Sequence, residues 1–165
     1  KTVQAVVKPI KKVTKASSKE KPTGEISVNG NKLLSTLQAE FSKKFNYMFL
    51  AFIKVEDKDK IVNIRSLDTS KTISESRTIF SNKDLSLNGR TLVKNMENSF
   101  LKDLGIACQI AVFNYKSSTG TIHPLYFPIG DYFNNSSLTK ANEWAKRIGC
   151  IEVKDIKSLS KKTVF

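Results

Sequence analysis

One stretch of this chain occurs in it twice, and no other feature narrows the possible folds so far. Residues 26–53 read ISVNGNKLLSTLQAEFSKKFNYMFLAFI and residues 85–112 read LSLNGRTLVKNMENSFLKDLGIACQIAV. At a constant offset of 59 they align without a gap, with Ser27/Ser86, Asn29/Asn88, Gly30/Gly89, Leu33/Leu92, Phe41/Phe100 and Lys43/Lys102 identical. Ile26/Leu85, Val28/Leu87, Leu34/Val93, Leu37/Met96, Phe45/Leu104 and Ile53/Val112 all stay apolar. Chance rarely keeps a turn dipeptide, a helical stripe and an apolar run in register, so the chain reads as an internal repeat.

Each copy predicts the same order of elements. In the first, a short strand at 25–28 is closed by the Asn29-Gly30 turn. Ser35 and Gln38 have the spacing of a capping box and are expected to start a helix. Leu34, Leu37, Phe41 and Phe45 then share one face, with Lys43 and Lys44 turned to solvent. The nearly continuous apolar run at 47–55 reads as a central strand buried on both sides. A charged turn, EDKDK, leads to a strand at 61–65 and a short helix or turn within 68–77. The second copy repeats the plan, with Leu92, Val93, Met96, Phe100 and Leu104 on the helix face and a buried strand at 106–113. Its closing helix, 137–148, is expected to turn Leu138, Ala141, Trp144, Ala145 and Ile148 inward, with Gly149 as C-cap and a last strand at 150–153.

The N-G turn, the helix with Leu and two Phe four apart, the F-G step and the following strand resemble a group of small uncharacterised bacterial proteins built from two such units. The matching residues are Thr36, Leu37, Phe41 and Phe45 in one copy and Met96, Phe100, Leu104 and Gly105 in the other. Asn46 stands where the pattern has glycine, and Leu104 where it has the second phenylalanine. The resemblance spans roughly residues 25–153 and implies a shared fold; it implies no activity.

The expected architecture is α+β: two tandem βαββα-type repeats, 25–83 and 84–153, sharing a core, plus a terminal strand. Basic tails at 1–24 and 154–165 flank them. The net charge of +13 is uneven. Seven lysines against Glu20 give the first 24 residues +6, four lysines against Asp155 give the last twelve +3, and the body carries only +4. Low in large apolar residues and interrupted by Pro9 and Pro22, the N-terminal tail cannot offset its own ordering entropy and is expected to be extended. Charge held at the ends favours an electrostatic role for the tails. Lys8, Lys11, Lys12, Lys15, Lys19, Lys21, Lys161 and Lys162 are the candidate nucleic-acid contacts. Each phosphate contacted on duplex DNA steepens the salt dependence by about 0.9. The competing reading is a solubilising appendage.

Catalytic readings are poor. His123, the one histidine, has neither cysteine near it in sequence to form a nucleophile–base pair, and is expected to be structural. Glu56, Asp57 and Asp59 lack the glycine and terminal glutamate of a calcium loop and read as a solvated turn. Cys108 and Cys150 show neither disulfide-framework nor zinc spacing, so both are expected to be reduced core residues of a cytoplasmic protein. No apolar run reaches the ~18 residues of a membrane span. Neither metal nor cofactor is expected, and the chain reads as a non-enzyme. A comparison with the RNA recognition motif fails, because KFNYMFLAF lacks its glycines and Ser27 stands where an aromatic should stack.

The segment 114–135 sets the second copy apart through Tyr115, Tyr126, Phe127, Tyr132 and Phe133, the candidate contacts to a protein partner. TIHPLYF within it also fits a second strand, which would bury about half of those rings. Two functions follow. One is a binding protein docking through its tails on nucleic acid or a ribonucleoprotein; the other is an adaptor or structural subunit, of phage or bacterial-defence type, whose tail threads into a protein complex.

Overall fold

The computed structural model describes residues 25–60, 64–80, 85–118 and 121–156, and of residues 115–118, 121–125 and 131 the backbone alone. The fold is mixed α and β with two small antiparallel sheets. In the first, β1 (Ile26–Val28) pairs with β3 (Leu85–Leu87), Ser27 opposite Ser86. Ile26, Val28 and Leu87 are buried and Ser27 is exposed, the period-two pattern of a sheet with one face on a core.

Helix α1 (Leu34–Lys44) buries Leu34, Leu37 and Phe41. Its start differs from the sequence expectation: Leu33 is the N-cap, and Ser35 lies inside the helix. A side-chain cap serves to satisfy the first orphan N–H groups. Here tertiary partners do so, with Leu34 N donating to the Lys71 carbonyl and Ser35 N to the Thr69 carbonyl, both at 2.9 Å. Gln38 is thereby released to donate from Nε2 to the Leu50 carbonyl at 2.8 Å. A capping box is formed instead at α2 (Ile73–Ser76), where Thr72 and Glu75 bond reciprocally.

The second half is built on matching bonds. Gly30 O accepts from Ser74 N at 3.0 Å and Gly89 O from Thr139 N at 3.1 Å. Lys32 O accepts from Ile73 N at 2.9 Å and Thr91 O from Leu138 N at 2.8 Å. Val93 N, opening α3 (Val93–Ser99), donates to the Ser136 carbonyl at 2.9 Å, the same distance as Leu34 N to Lys71. Helix α3 runs into a π-helical turn, Phe100–Leu104, which closes on Gly105 at φ +66°. No L side chain sits easily there, and a Cβ would also overlap Thr78 Oγ1.

The second sheet has the order β2-β4-β5, formed by β2 (Phe49–Ile53), β4 (Ala107–Ser118) and β5 (Thr121–Pro128). Strand β2 is buried along its whole length, and among the described strands it stands at one end of the order and not at its centre. Its outer side is covered by a loop: Leu67 N donates to Phe52 O, Lys54 N to Arg65 O, and Ser66 makes an isolated bridge to Ile53. Of the strand expected at 61–65, residues 61–63 lie outside the described residues. Beyond β5, α4 (Gly130–Phe133) leads to α5 (Leu138–Arg147), capped by the Ser137 hydroxyl. Leu138, Ala141 and Ala145 are buried, whereas Ile148, expected inside, is 45% exposed because the helix has already ended. Residues 150–153 form no strand. Ile151 N reaches Phe113 O, but two residues on Val153 N turns to Asn46 O, and a 3-10 turn follows.

Between helix and strand the gapless correspondence of the two stretches fails. Met48, Leu50 and Phe52 face the main core, as do Ile106, Cys108, Ile110 and Val112. That is an offset of 58, because two residues separate Phe45 from Met48 and one separates Leu104 from Ile106. A slip of one residue exchanges the faces of a strand, so the burial pattern decides the register. At this offset Ala51 and Gln109 correspond, and they lie directly opposite each other in the sheet.

The main core joins both halves, with Phe52 and Phe100 at 6.0 Å between ring centres. A second, smaller cluster on the other face of the sheet holds Phe49, Ala51, Phe113, Ile151 and Ile156.

Candidate interaction surface

The candidate tail lysines, Lys8, Lys11, Lys12, Lys15, Lys19, Lys21, Lys161 and Lys162, lie outside the described residues. The aromatic segment is described, and its rings divide. Tyr126 turns inward: it meets Phe113 edge-on at 5.6 Å and its hydroxyl donates to Gln109 Oε1 at 2.7 Å. Burial, and then the charge of Glu97, push its phenol well above the ordinary tyrosine range. Phe133 packs on the main core with its ring 4.3 Å from that of Trp144. Phe127 is 44% and Tyr132 75% exposed. Tyr115 stands in β4 opposite Pro124. A ring-rich segment thus supplies both core and surface: Tyr126 and Phe127 face opposite ways as alternate positions of β5, and Phe133 and Tyr132 divide on the short helical turn that follows.

Strand β4 is much longer than its partner β2. Their pairing ends at Phe49↔Ala111, while β4 and β5 continue together to Ser118↔Thr121. Past Phe113, whose carbonyl takes the Ile151 N–H at 2.8 Å, the sheet pairing of β4 and β5 among the described residues is with each other. That bond also sets the type of every pair in the ribbon. The Phe113 carbonyl points away from β5, so Phe113↔Tyr126 is a non-hydrogen-bonded pair, and by alternation so are Ala111↔Pro128 and Tyr115↔Pro124. Pro124 and Pro128 therefore occupy positions whose N–H would point away from β4. Proline there removes donors that an incoming strand needs.

The C-terminal segment is held to the body by a polar junction. Asn46 Nδ2 donates to Glu152 Oε1 at 3.0 Å, Asn142 Nδ2 to Asn46 Oδ1 at 3.3 Å, and Tyr47 N to Asn142 Oδ1 at 2.9 Å. Burial and the neighbouring Glu152 carboxylate raise the Tyr47 phenol. Lys154 pairs with Glu152 at 3.4 Å, and Ile156 is buried in the second cluster. The chain is thus pinned just before its last basic residues.

The acidic turn is not simply solvated. Asp57 is fully buried. Its carboxylate accepts from Arg65 Nε at 2.8 Å, Arg65 N and Nη2 at 3.0 Å, and Lys60 Nζ at 2.9 Å. The bonded Arg65 side chain holds this carboxyl well below the usual carboxylate range. Arg65 is the residue that sequence reasoning missed, since nothing in a spacing of eight marks it as the partner of Asp57. Cys108 and Cys150 are free and buried, and burial pushes both thiols up. Among the described residues the most exposed large apolar side chain is Phe80, 95% exposed under the Arg77 guanidinium at 5.2 Å, which also carried no signal in the sequence.

Among the described residues, no helix is long and apolar enough to cross a membrane. No family model, curated protein or solved structure matches this chain.

Proposed function

We propose that the chain is a duplicated βαββα-type module with basic arms, working as a non-enzymatic binding protein that docks on nucleic acid or a nucleoprotein assembly. The observation that carries this is the placement of charge: +6 on residues 1–24 and +3 on 154–165, against +4 on everything between. Lysines on an extended arm neutralise phosphates and release counterions, which makes binding strong at low salt and largely indifferent to sequence. The duplication is supported by the bonds that recur around Gly30 and Gly89 and by the pairing of β1 with β3 and β2 with β4.

The test compares the whole chain with a version lacking residues 1–24, binding mixed DNA and RNA at low and moderate salt. Four to seven tail contacts correspond to a salt slope of about −4 to −6 on duplex DNA, most of which truncation removes. Equal affinity and slope for the two versions overturns the reading. A second reading, an adaptor that meets a protein through 114–135, is favoured by the exposure of Tyr132 and Phe127. Capture of a partner that Tyr132→Ser and Phe127→Ser abolish, with no binding of nucleic acid, selects it.

A further inference from the structure

We infer that the twin Asn-Gly turns differ in chemistry: Asn29 is a site of spontaneous covalent modification, closing onto Gly30 and losing its amide, while Asn88 is protected. The inference is independent of what the basic arms bind. In main chain the two turns match, with Lys32 N donating to Asn29 O at 3.2 Å and Thr91 N to Asn88 O at 3.1 Å.

Their side chains do not match. Asn88 Oδ1 accepts from Arg90 N at 2.8 Å, and Asn88 N donates to Thr91 Oγ1 at 3.1 Å. The first bond is an Asx-turn, which ties the side chain to the N–H two residues on and draws it away from the nitrogen of Gly89. In the first copy Lys32 stands in the place of Thr91 and has no hydroxyl to offer. Its ammonium bonds Ser27 O and Glu40 Oε1, both at 2.6 Å. Among the described residues the Asn29 side chain takes part in no hydrogen bond. Asn29 is also exposed to water, whereas Asn88 is half-buried. Gly30 has no Cβ to shield its nitrogen from the amide beside it.

The reaction needs only water. The Gly30 nitrogen gives up its proton and attacks Asn29 Cγ, the Cγ–Nδ2 bond breaks, and ammonia leaves. Water then opens the resulting imide ring at either carbonyl, to aspartate or to isoaspartate. The balance is side-chain amide plus water to carboxylate plus ammonium, with nothing oxidised or reduced. Isoaspartate routes the main chain through the side-chain carbons and lengthens the turn by one methylene. The next carbonyl, Gly30 O, holds Ser74 N at 3.0 Å, so the product loosens α2 from the first copy.

The experiment ages the full chain in mildly alkaline buffer, folded and in urea, and follows both turns by peptide mapping with mass spectrometry. Folded, Asn29 is expected to convert about fivefold faster than Asn88, the factor that one net hydrogen bond is worth. In urea the two rates converge. Thr91→Val, which removes the hydroxyl but keeps the branched shape, speeds conversion at Asn88. The isoaspartate form melts about 2–4 °C below the unaged chain, whereas Asn29→Asp, which adds the charge without the methylene, stays closer to it. Asn88 converting as fast as Asn29 in the folded chain, a folded Asn29 that stays intact while the urea sample converts, or the same difference in rate persisting in urea each overturns the inference.

Discussion

Gly30 and Gly89 offer the sharpest probe of the twin geometry, because each faces a hydroxyl on the short helix that follows its copy. A Cβ built on Gly30 overlaps Ser74 Oγ, and one on Gly89 overlaps Thr139 Oγ1. Neither glycine has positive φ, so alanine suits the backbone and by itself gains about 0.4–1 kcal/mol through the unfolded chain. Overpacking costs about 1–3 kcal/mol, so Gly30→Ala and Gly89→Ala should each destabilise by roughly 0.5–2 kcal/mol. Removing the offending hydroxyl should restore stability: Gly30→Ala with Ser74→Ala, and Gly89→Ala with Thr139→Ala, return to the native level or slightly above it. The second copy should suffer more, since a β-branched threonine on a helix has fewer wells into which its oxygen can move. Urea unfolding of each single and double variant gives the coupling energy, and about 2–4 °C of melting temperature per kcal/mol gives an independent reading. Coupling below about 0.5 kcal/mol in both cycles, the scatter of independent sites, would refute the close approach.

Tyr126 and Tyr132 should separate cleanly in a stability assay. Tyr126→Ser empties a site between Phe113 and Gln109 and is expected to cost about 3–5 kcal/mol, whereas Tyr132→Ser stays within about 0.5 kcal/mol; similar losses for the two would contradict the division of the aromatic segment. Asp57 should shape the acid limb of stability. Its folded-state pKa is lowered, so its contribution is complete above the unfolded carboxylate pKa of about 3.9 and is lost as pH falls below that value toward the folded one. Asp57→Asn should therefore lower stability at pH 7 and flatten its decline between pH 5 and 2, and an unchanged acid limb in chemical unfolding would count against the Arg65 pairing.

Much of the fold was legible in the residue order. Apolar positions at helical spacing in 34–45 and 92–104, the Asn-Gly dipeptides and the lysine-rich ends are local signals, and local periodicity directs which face of an element is buried. The partner on that face is a different matter. The expected capping box at Ser35 gave way because carbonyls of Lys71 and Thr69, more than thirty residues on, reach the same N–H groups. The strand correspondence shifted by one because a single extra residue before Met48 is invisible to a gapless alignment of apolar types, yet decides which side chains meet the core. Of the candidate site, composition located the ring-rich segment but could not sort its rings. Tyr126 finds Gln109 on the neighbouring strand β4, whereas Tyr132 on the turn after β5 is 75% exposed, a difference that depends on which distant segment lies alongside each.

By itself, then, the residue order determined the apolar stripes, the turns and the asymmetry of charge, each of which depends on neighbours within one or two turns of chain. Tertiary structure alone decided that β2 pairs with β4, that Asp57 is buried against Arg65, and that the pairing of β4 with β5 runs on past the end of β2. Those outcomes turn on which distant segments come into contact, and burial and hydrogen bonding are settled only where such segments meet.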